Sequence, residues 1–336
     1  MDELELIRAL RDEEPDPAAR AHARRALRER MDGPVAGRSR PRPRSRWLIA
    51  PLGLAGIAAV VIAVATGVDD ATIAPAPATA ALERAARAAE QRPEPLLGPA
   101  DYFYVRDRSA YLTTFADGPG WSVLVPSERE TWTNRKGGTR FSDRAGGRAT
   151  FPGPRDRRRW SQAGSPDLSQ GSQLPAGAGD RVSGHDFGAG GSMLTYKQLR
   201  ALPSGGRAMY RRLLELANGA GPSPDEEAFV IIGDLLRSVP VPARARAGLY
   251  RAAAYIKGVR YVGAVRDELG RRGVAVELTS RDTRHRLVFD PTTSQVLAEQ
   301  DVLTKRVPYI DAGPGFVTGY RLVLKQGIVK SDRARP

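Results

Sequence analysis

The longest apolar stretch of the chain runs from Trp47 to Val68 and contains no charged side chain. A helix needs about 20 mostly apolar residues to cross the hydrocarbon core of a bilayer. Trp47 and Leu48 open the stretch, at the position where an indole ring prefers the membrane interface. Pro51 and Gly53 would weaken a soluble helix, but membrane helices tolerate them. The pattern therefore predicts a transmembrane helix over residues 47–68, surrounded by the lipid bilayer.

The charges that flank this stretch predict its orientation. Asp69 and Asp70 follow it, and five arginines precede it: Arg38, Arg40, Arg42, Arg44 and Arg46. Because positive charge stays on the cytoplasmic side, we expect a cytoplasmic N-terminus and a larger C-terminal part outside the plasma membrane. A cleaved signal peptide is the competing interpretation, since small residues follow at 78–80. The apolar region of a signal peptide, however, is typically only about 7–15 residues long, which is shorter than the stretch from Trp47 to Val68.

The pattern of residues 1–46 predicts a cytoplasmic tail with two short helices. In the first helix Leu6, Ile7 and Leu10 share one face. The second begins at Pro17, a common first helical residue. Because two such helices bury too little surface to fold alone, the tail has two interpretations. It docks on a cytoplasmic partner through Leu6, Ile7 and Leu10, or it is a solvated segment that holds the orientation and touches anionic lipid.

Beyond the apolar stretch, residues 69–98 predict a linker and a short helix, and residues 99–330 predict an extracytoplasmic domain. Short runs of β-branched and aromatic residues come first, helical stripes follow between residues 199 and 258, and further strand-like runs come after them. Strands, then helices, then strands, without βαβ alternation, predict an α+β domain with an antiparallel sheet. The run Tyr320–Leu324 is expected to add an edge strand.

Residues 152–191 interrupt this pattern, because they are rich in Gly, Pro, Ser and Arg and contain few large apolar side chains. Such a segment has little to bury against the cost of ordering, so we predict a mobile insertion. His185 lies within it and is expected to face solvent. His285 alternates with the apolar residues of its predicted strand, and we expect it to point outward from the domain.

Composition and motifs then narrow the function. Cysteine is absent, which excludes disulfides and thiolate chemistry. The formal net charge of +14 comes mainly from arginine in a chain rich in Ala, Gly and Pro, as in proteins encoded by GC-rich genes. No nucleic-acid-binding motif accompanies this charge. Walker A, Gly-x-Ser-x-Gly and His-Glu-x-x-His motifs are missing. We therefore predict a protein that is not an enzyme, has no cofactor or metal site, and has no nucleic-acid partner.

Several segments carry a resemblance to a known family: LELIRALRDEEPDP in the tail, the apolar stretch, QLRALPS, FVIIGDLLRSVPVPARARAGLYRAAAYIKGV and GRRGVAVELTSRDTRHRLVFDPTTSQVLAEQ. The overall plan resembles an actinobacterial family of single-pass membrane proteins often encoded beside extracytoplasmic-function sigma factors. Such proteins look like membrane-bound anti-sigma factors. The outer part is similar in outline to the half-barrels of lipoprotein-carrier and sigma-regulator domains, which implies a curved antiparallel sheet packed on helices. The tail lacks the His-x-x-x-Cys-x-x-Cys zinc motif of many anti-sigma domains.

Two functions remain from different classes. In the first, the chain is an anti-sigma-like regulator whose tail holds a sigma factor or another cytoplasmic regulator while the outer domain senses the envelope. In the second, the tail is only an anchor, and the outer domain binds a lipid or another small apolar ligand. A deep apolar concavity in the outer domain would favour the second.

Overall fold

A computed structural model of the chain describes residues 74–115, 120–168, 187–189, 192–308 and 310–336. The predicted tail (1–46), with Leu6, Ile7, Leu10 and the arginines at 38–46, lies outside the described residues. So does the predicted membrane helix from Trp47 and Leu48 to Val68, and so does His185. These interpretations stay predictions. Within the described ranges, no helix is long and apolar enough to cross a membrane.

A nine-stranded antiparallel sheet forms the centre of the described structure. Its strands are β1 (Tyr102–Phe115), β2 (Trp121–Leu124), β3 (Ser127–Asn134), β4 (Thr139–Ala145), β7 (Arg260–Arg266), β8 (Arg272–Ser280), β9 (Thr283–Asp290), β10 (Gln295–Leu303) and β11 (Val317–Val329). The strand order is β4-β3-β1-β11-β10-β9-β8-β7, and β2 pairs with the end of β1. A separate hairpin consists of β5 (Phe187–Ala189) and β6 (Ser192–Leu194). Bulges in β7, β10 and β11 bend the strands, and the sheet is curved, as predicted.

The prediction of an edge strand at Tyr320–Leu324 is wrong, because these residues belong to β11, the last strand of the sheet. It pairs with β1 on one side and β10 on the other, so it lies in the middle of the sheet. Tyr102 is the register partner of Val329, and Tyr111 is the partner of Gly319. The pairing joins the first and last strands of the domain. A local pattern cannot show it, because the partner lies about 200 residues away along the chain.

The first strand is also longer than its pattern predicts. The sequence favours two separate strands, at 102–105 and 110–115, because polar residues lie between these runs. The structure shows one strand of 14 residues. The intervening arginines do not break it, since Arg106 and Arg108 both bond to Glu128 on β3. The register with β11 shifts between Arg106 and Asp107, where β11 contains one extra residue, Leu324.

The described residues contain six helices, and those between residues 206 and 253 follow the predicted stripes closely. The six helices are α1 (Ala76–Glu90), α2 (Pro154–Gln162), α3 (Tyr196–Arg200), α4 (Gly206–Ala217), α5 (Pro224–Ser238) and α6 (Ala243–Ala253). Ser223 caps α5, where its hydroxyl accepts the Glu226 N–H, and Pro224 is the first helical residue. Helix α2 lies inside the segment 152–191, so the prediction of a mobile insertion is wrong for Pro154–Gln162. Residues 169–186 of the insertion lie outside the described residues.

Helices α1, α4, α5 and α6 and one face of the sheet enclose the main core. We call this side of the sheet the helix-covered face. Tyr250 of α6 packs on Phe289 of β9 with 5.2 Å between ring centroids, and burying each such side chain contributes about 1.5–3 kcal/mol. Alanines of α1 are fully buried and let α1 approach α6 closely. A smaller apolar cluster around Val288 and Leu322 lies on the other side of the sheet, the opposite face.

Candidate functional site: a charged cleft beneath helix α5

A cleft of about 250 Å³ lies between α5 and the helix-covered face of the sheet. Strands β1, β9, β10 and β11 contribute to its floor, and one side of α5 forms its wall. The two apolar side chains at its mouth are unusually exposed: Tyr111 is 49% exposed and Val230 is 37% exposed. The cleft therefore combines a charged interior with an apolar rim.

Gly233 on α5 makes room for the carboxylate of Glu299 on β10. A Cβ atom on residue 233 would overlap Glu299 Oε1. Glycine inside a helix is unfavourable by about 1 kcal/mol relative to alanine, so the helix forgoes stability at this position. In return, a charged side chain from the sheet can approach the helix backbone.

Arg237 holds Glu299 from the next turn of α5. Its Nε donates to Glu299 Oε2 at 3.1 Å, and its Nη2 pairs with Asp234. The Arg237 side chain is only 4% exposed, so both carboxylates offset the cost of burying its charge. Burial raises the pKa of Glu299, although the Arg237 charge opposes this rise. The pair fixes α5 to the middle of the sheet.

His285 corrects the prediction that it points outward. Its Nδ1 lies 2.7 Å from Asp301 Oδ1 on β10, and its Nε2 lies 3.5 Å from Glu226 Oε1 on α5. Only 30% of the side chain is exposed. The hydrogen bond with Asp301 is the main cause that raises the pKa of His285. The prediction failed because His285 lies on the same, helix-covered face of β9 as Leu287, and both line the cleft.

Two polar atoms in the cleft are buried without a hydrogen-bond partner within the described residues: Glu299 Oε1 and Arg321 Nε. Arg321 and Glu299 are register partners on β11 and β10. The Arg321 guanidinium carbon lies 6.0 Å from the Tyr111 ring centroid. The cleft thus presents an unmatched acceptor and an unmatched donor close to an exposed aromatic ring. A polar group that both donates and accepts, such as a peptide amide, matches this arrangement.

None of the residues that line this cleft stands out in the sequence as a site residue. The available signal was Gly233, a glycine within the helical stripe FVIIGDLLR, since such a position commonly has a packing reason. Glu299, Asp301 and Arg321 come together only through strand register, which the sequence does not display. Among the described residues there is no group of His, Cys, Asp or Glu that could hold a metal ion.

The fold is therefore an α+β domain in which a curved antiparallel sheet carries helices on one face. No family model and no curated protein matches the chain. Among solved structures, the chain is similar to the MucA/MucB complex of Pseudomonas aeruginosa, with a TM-score of 0.23, 14% identity, and coverage of 78% of this chain and 59% of that one.

Two further solved structures are similar to the chain. MucB in complex with MucA(peri) gives a TM-score of 0.22 and 15% identity, covering 76% of this chain and 56% of that one. MucB gives a TM-score of 0.22 and 14% identity, covering 78% and 61%. The chain thus spans less than two thirds of the length of these structures. TM-scores this low do not establish a shared fold, and the function proposed below rests on the chain's own residues.

Proposed function

We propose that the chain is a single-pass membrane protein, not an enzyme, that links the state of the cell envelope to a cytoplasmic regulator in the manner of an anti-sigma factor. The observation that carries the proposal is the order of features along the chain. The apolar residues 47–68 stand between a short Arg-rich tail and the folded domain that begins at Ala76. In this arrangement the outer domain senses and the tail responds.

The cleft beneath α5 supports a protein partner for the outer domain rather than a lipid. Its interior contains charged groups from Arg237, Glu299, Asp301 and Arg321, and burying an acyl chain against them would leave charges without solvent. An extended polypeptide instead supplies amide groups for the unmatched acceptor and donor, and apolar side chains for Tyr111 and Val230. Peptide recognition commonly combines these two kinds of contact.

The second candidate is an envelope protein that binds a small apolar ligand. A cleft of about 210 Å³ favours it, since much of its lining is apolar, including Phe103, Val241 and Ile328. Ligand pockets for small molecules usually measure about 300–1,000 Å³. Four clefts within the described residues have volumes of about 130 to 290 Å³. The regulatory proposal is therefore preferred.

Topology is the first test. An alkaline phosphatase reporter fused after Asp70 should be active, and a reporter fused before Arg38 should be silent, because alkaline phosphatase folds only outside the cytoplasm. Reporters with the reverse pattern would contradict the membrane orientation, and with it the whole proposal. Replacing the arginines at 38, 40, 42, 44 and 46 by glutamine should reduce the difference in phosphatase activity between the two fusions.

The second test addresses the cytoplasmic partner. The full-length chain is captured from cells after crosslinking, together with a variant that carries Ile7→Asp and Leu10→Asp. The variant should lose a bound sigma factor, because each buried apolar anchor contributes about 1.5–3 kcal/mol. A matched variant with Ala19→Asp and Ala23→Asp adds the same charge outside the Leu6, Ile7 and Leu10 cluster and should retain it. Equal capture by all three proteins would favour the plain anchor.

A further inference from the structure

Three arginines converge on one buried carboxylate on the opposite face of the sheet. Glu128 of β3 is the register partner of Arg108 on β1 and of Arg144 on β4, so the three side chains share one face. Arg106 reaches the same carboxylate from one position further along that face of β1. The Glu128 side chain is 5% exposed, whereas those of Arg106, Arg108 and Arg144 are 36%, 30% and 50% exposed. Glu128 therefore lies beneath a layer of guanidinium groups.

Both oxygens of Glu128 are occupied. Oε1 accepts from Arg108 through Nε at 3.1 Å and Nη2 at 2.6 Å. Oε2 accepts from Arg106 at 3.2 and 2.8 Å and from Arg144 at 3.0 and 2.6 Å. Burial alone would raise the pKa of Glu128, but these hydrogen bonds outweigh burial and lower it to about 2. The carboxylate is therefore ionised at neutral pH, and its position is fixed from three sides.

The charges of this cluster do not balance. Three guanidinium groups face a single carboxylate, which leaves two positive charges uncompensated. Lys325 of β11, the register partner of Arg106, is exposed and adds a further positive charge. The next acid on this face is Glu130, and Arg335 occupies both of its oxygens. Counted together, the four guanidinium groups of Arg106, Arg108, Arg144 and Arg335 face the two carboxylates of Glu128 and Glu130, so two positive charges remain in excess.

Each arginine uses only one edge of its guanidinium group on Glu128, the edge that contains Nε and Nη2. The Nη1 groups of Arg106 and Arg108 have no hydrogen-bond partner among the described residues, and they are not buried. Nη1 of Arg144 likewise has no partner there. All three guanidinium groups are held by the same carboxylate, so they lie close together, with these remaining donors on the side turned away from Glu128. Fixed guanidinium donors of this kind match the oxygens of a tetrahedral anion.

We propose that Arg106, Arg108 and Arg144 form a binding site for a phosphate dianion, with Glu128 as the buried carboxylate that positions the three guanidinium groups. A dianion supplies the two missing negative charges and enough acceptor oxygens for the free donors. The ligand is inorganic phosphate or a phosphate monoester, including one that belongs to a lipid headgroup. A simple clamp between β1, β3 and β4 would not require the excess charge or the free donor edges. The site is independent of the function proposed above.

The experiment uses the full-length chain in a nonionic detergent and follows thermal unfolding by tryptophan fluorescence. Phosphate and chloride are titrated at equal ionic strength. A ligand that binds only the folded chain raises the unfolding midpoint with its concentration. We expect phosphate to raise the midpoint saturably, sulfate to act similarly, and chloride to have no such effect. An absence of any specific phosphate effect, in detergent and in the lipid micelles described below, would overturn the proposal.

Arg144→Gln is the main variant, because Arg144 is the most exposed of the three and its loss leaves Glu128 paired with Arg106 and Arg108. Loss of its charge-assisted hydrogen bonds should weaken phosphate binding at least about tenfold. The matched control is Arg212→Gln on α4, since Arg212 is also ion-paired, with Glu215 at 2.7 Å. This control should bind phosphate as the unchanged chain does. Equal weakening by both variants would contradict a specific site.

Glu128→Gln distinguishes a site with positioned guanidinium groups from nonspecific attraction of phosphate to positive charge. The change raises the net positive charge, but it also removes the carboxylate that positions the arginines. A fixed site predicts weaker phosphate binding, and diffuse attraction predicts stronger binding. If this variant does not fold, Arg144→Lys gives the same distinction, since it keeps the charge but loses the paired donors. It should then bind several times more weakly than the unchanged chain. Stronger or unaltered binding in the folded variant would overturn the proposal.

A final comparison identifies the source of the phosphate group. The chain is placed in mixed micelles that contain phosphatidic acid or, as control, phosphatidylcholine. Stabilisation by phosphatidic acid at concentrations where inorganic phosphate has no effect would assign the site to a lipid headgroup. Stabilisation by both ligands would assign it to phosphate monoesters generally. Arg144→Gln should reduce the stabilisation by phosphatidic acid and by inorganic phosphate. If it reduces neither, the result would contradict the site.

Discussion

Gly233 of α5 faces Glu299 of β10 so closely that a Cβ atom on residue 233 would overlap the carboxylate oxygen Oε1. The same carboxylate accepts from Arg237 one turn later on α5. The absent side chain of Gly233 therefore allows a charged contact between helix and sheet, and this contact forms the floor of the cleft. Helix propensity and site geometry oppose each other at this one position, which makes it a sensitive test of the structure.

Gly233→Ala should destabilise the domain, although alanine is the better helix former. Alanine would push the Glu299 carboxylate away from Arg237, and losing a hydrogen bond to a charged group costs about 1.5–3 kcal/mol, which exceeds the gain of about 0.8–1 kcal/mol from helix propensity. The free energy of unfolding, measured by denaturant titration, should therefore fall. The control is the same change in a Glu299→Ala background, where the overlap is gone and alanine should raise stability. Stabilisation by Gly233→Ala in the unchanged chain would mean that Glu299 does not occupy this position.

His285 should make the stability of the domain depend on pH. Because the pKa of His285 in the folded chain is raised above its usual 6.5 by the hydrogen bond with Asp301, its charge stabilises the fold fully below about pH 6.5. That contribution is lost as pH rises through the folded pKa. His285→Gln should therefore reduce the free energy of unfolding more at pH 5.5 than at pH 9.

The matched control for His285 is Asp301→Asn, which removes the main partner. In that variant the additional effect of His285→Gln should shrink at acidic pH, since only Glu226 still faces the ring from α5. Denaturant titrations of the four proteins at both pH values form a double-mutant cycle. A coupling between His285 and Asp301 that is no larger at pH 5.5 than at pH 9 would contradict the ion pair.

The contact of Arg335 with Glu130 should stabilise the domain at neutral pH and fail in acid. The hydrogen bonds from Arg335 are the main cause that lowers the pKa of Glu130 to about 2. Since this folded pKa is depressed, the contribution is present above the unfolded value of about 4.5 and is lost as pH falls toward 2. Arg335→Gln should lower the unfolding midpoint at pH 7 and have little effect near pH 2.

Tryptophan fluorescence offers an independent measurement of the same contact. Trp132 Nε1 donates to the Ala334 carbonyl at 2.7 Å, and the Arg335 guanidinium lies 5.7 Å from its ring centroid. Arg335→Gln should alter the emission of Trp132, whereas Arg333→Gln, a control with the same charge change two residues away, should alter it less. Equal spectra for the two variants would argue that residues 334 and 335 do not pack on Trp132.

Trypsin should cut after Arg181 before it cuts within α2. The composition of residues 152–191 predicts a mobile insertion, but the structure places a helix at Pro154–Gln162. Asp156 of that helix is buried and accepts the N–H groups of Ser122 at 3.0 Å and Asp311 at 3.2 Å. Mass spectrometry of early fragments from the full-length chain tests this order. Early cleavage at Arg157 to Arg159 would show that α2 opens more easily than these contacts allow.

The sequence by itself determined the elements whose cause is local. Helix α5 could be predicted because Pro224 and three acids open it, apolar residues follow at helical spacing, and Pro240 ends it. The succession of strands, helices and strands was enough to predict an α+β domain with an antiparallel sheet. The apolar residues 47–68 predict a membrane helix for the same reason: length and composition alone decide whether a segment suits a bilayer.

Tertiary structure alone decided which residues meet. The pairing of β1 with β11 places Tyr111 beside Gly319 and makes a predicted edge strand central. Register between β10 and β11 sets Glu299 next to Arg321, and register across β1, β3 and β4 gathers three arginines on Glu128. A one-residue shift in any of these pairings would move the side chains to the other face. Local residue patterns do not encode that choice, because it depends on the packing of both faces of the whole sheet.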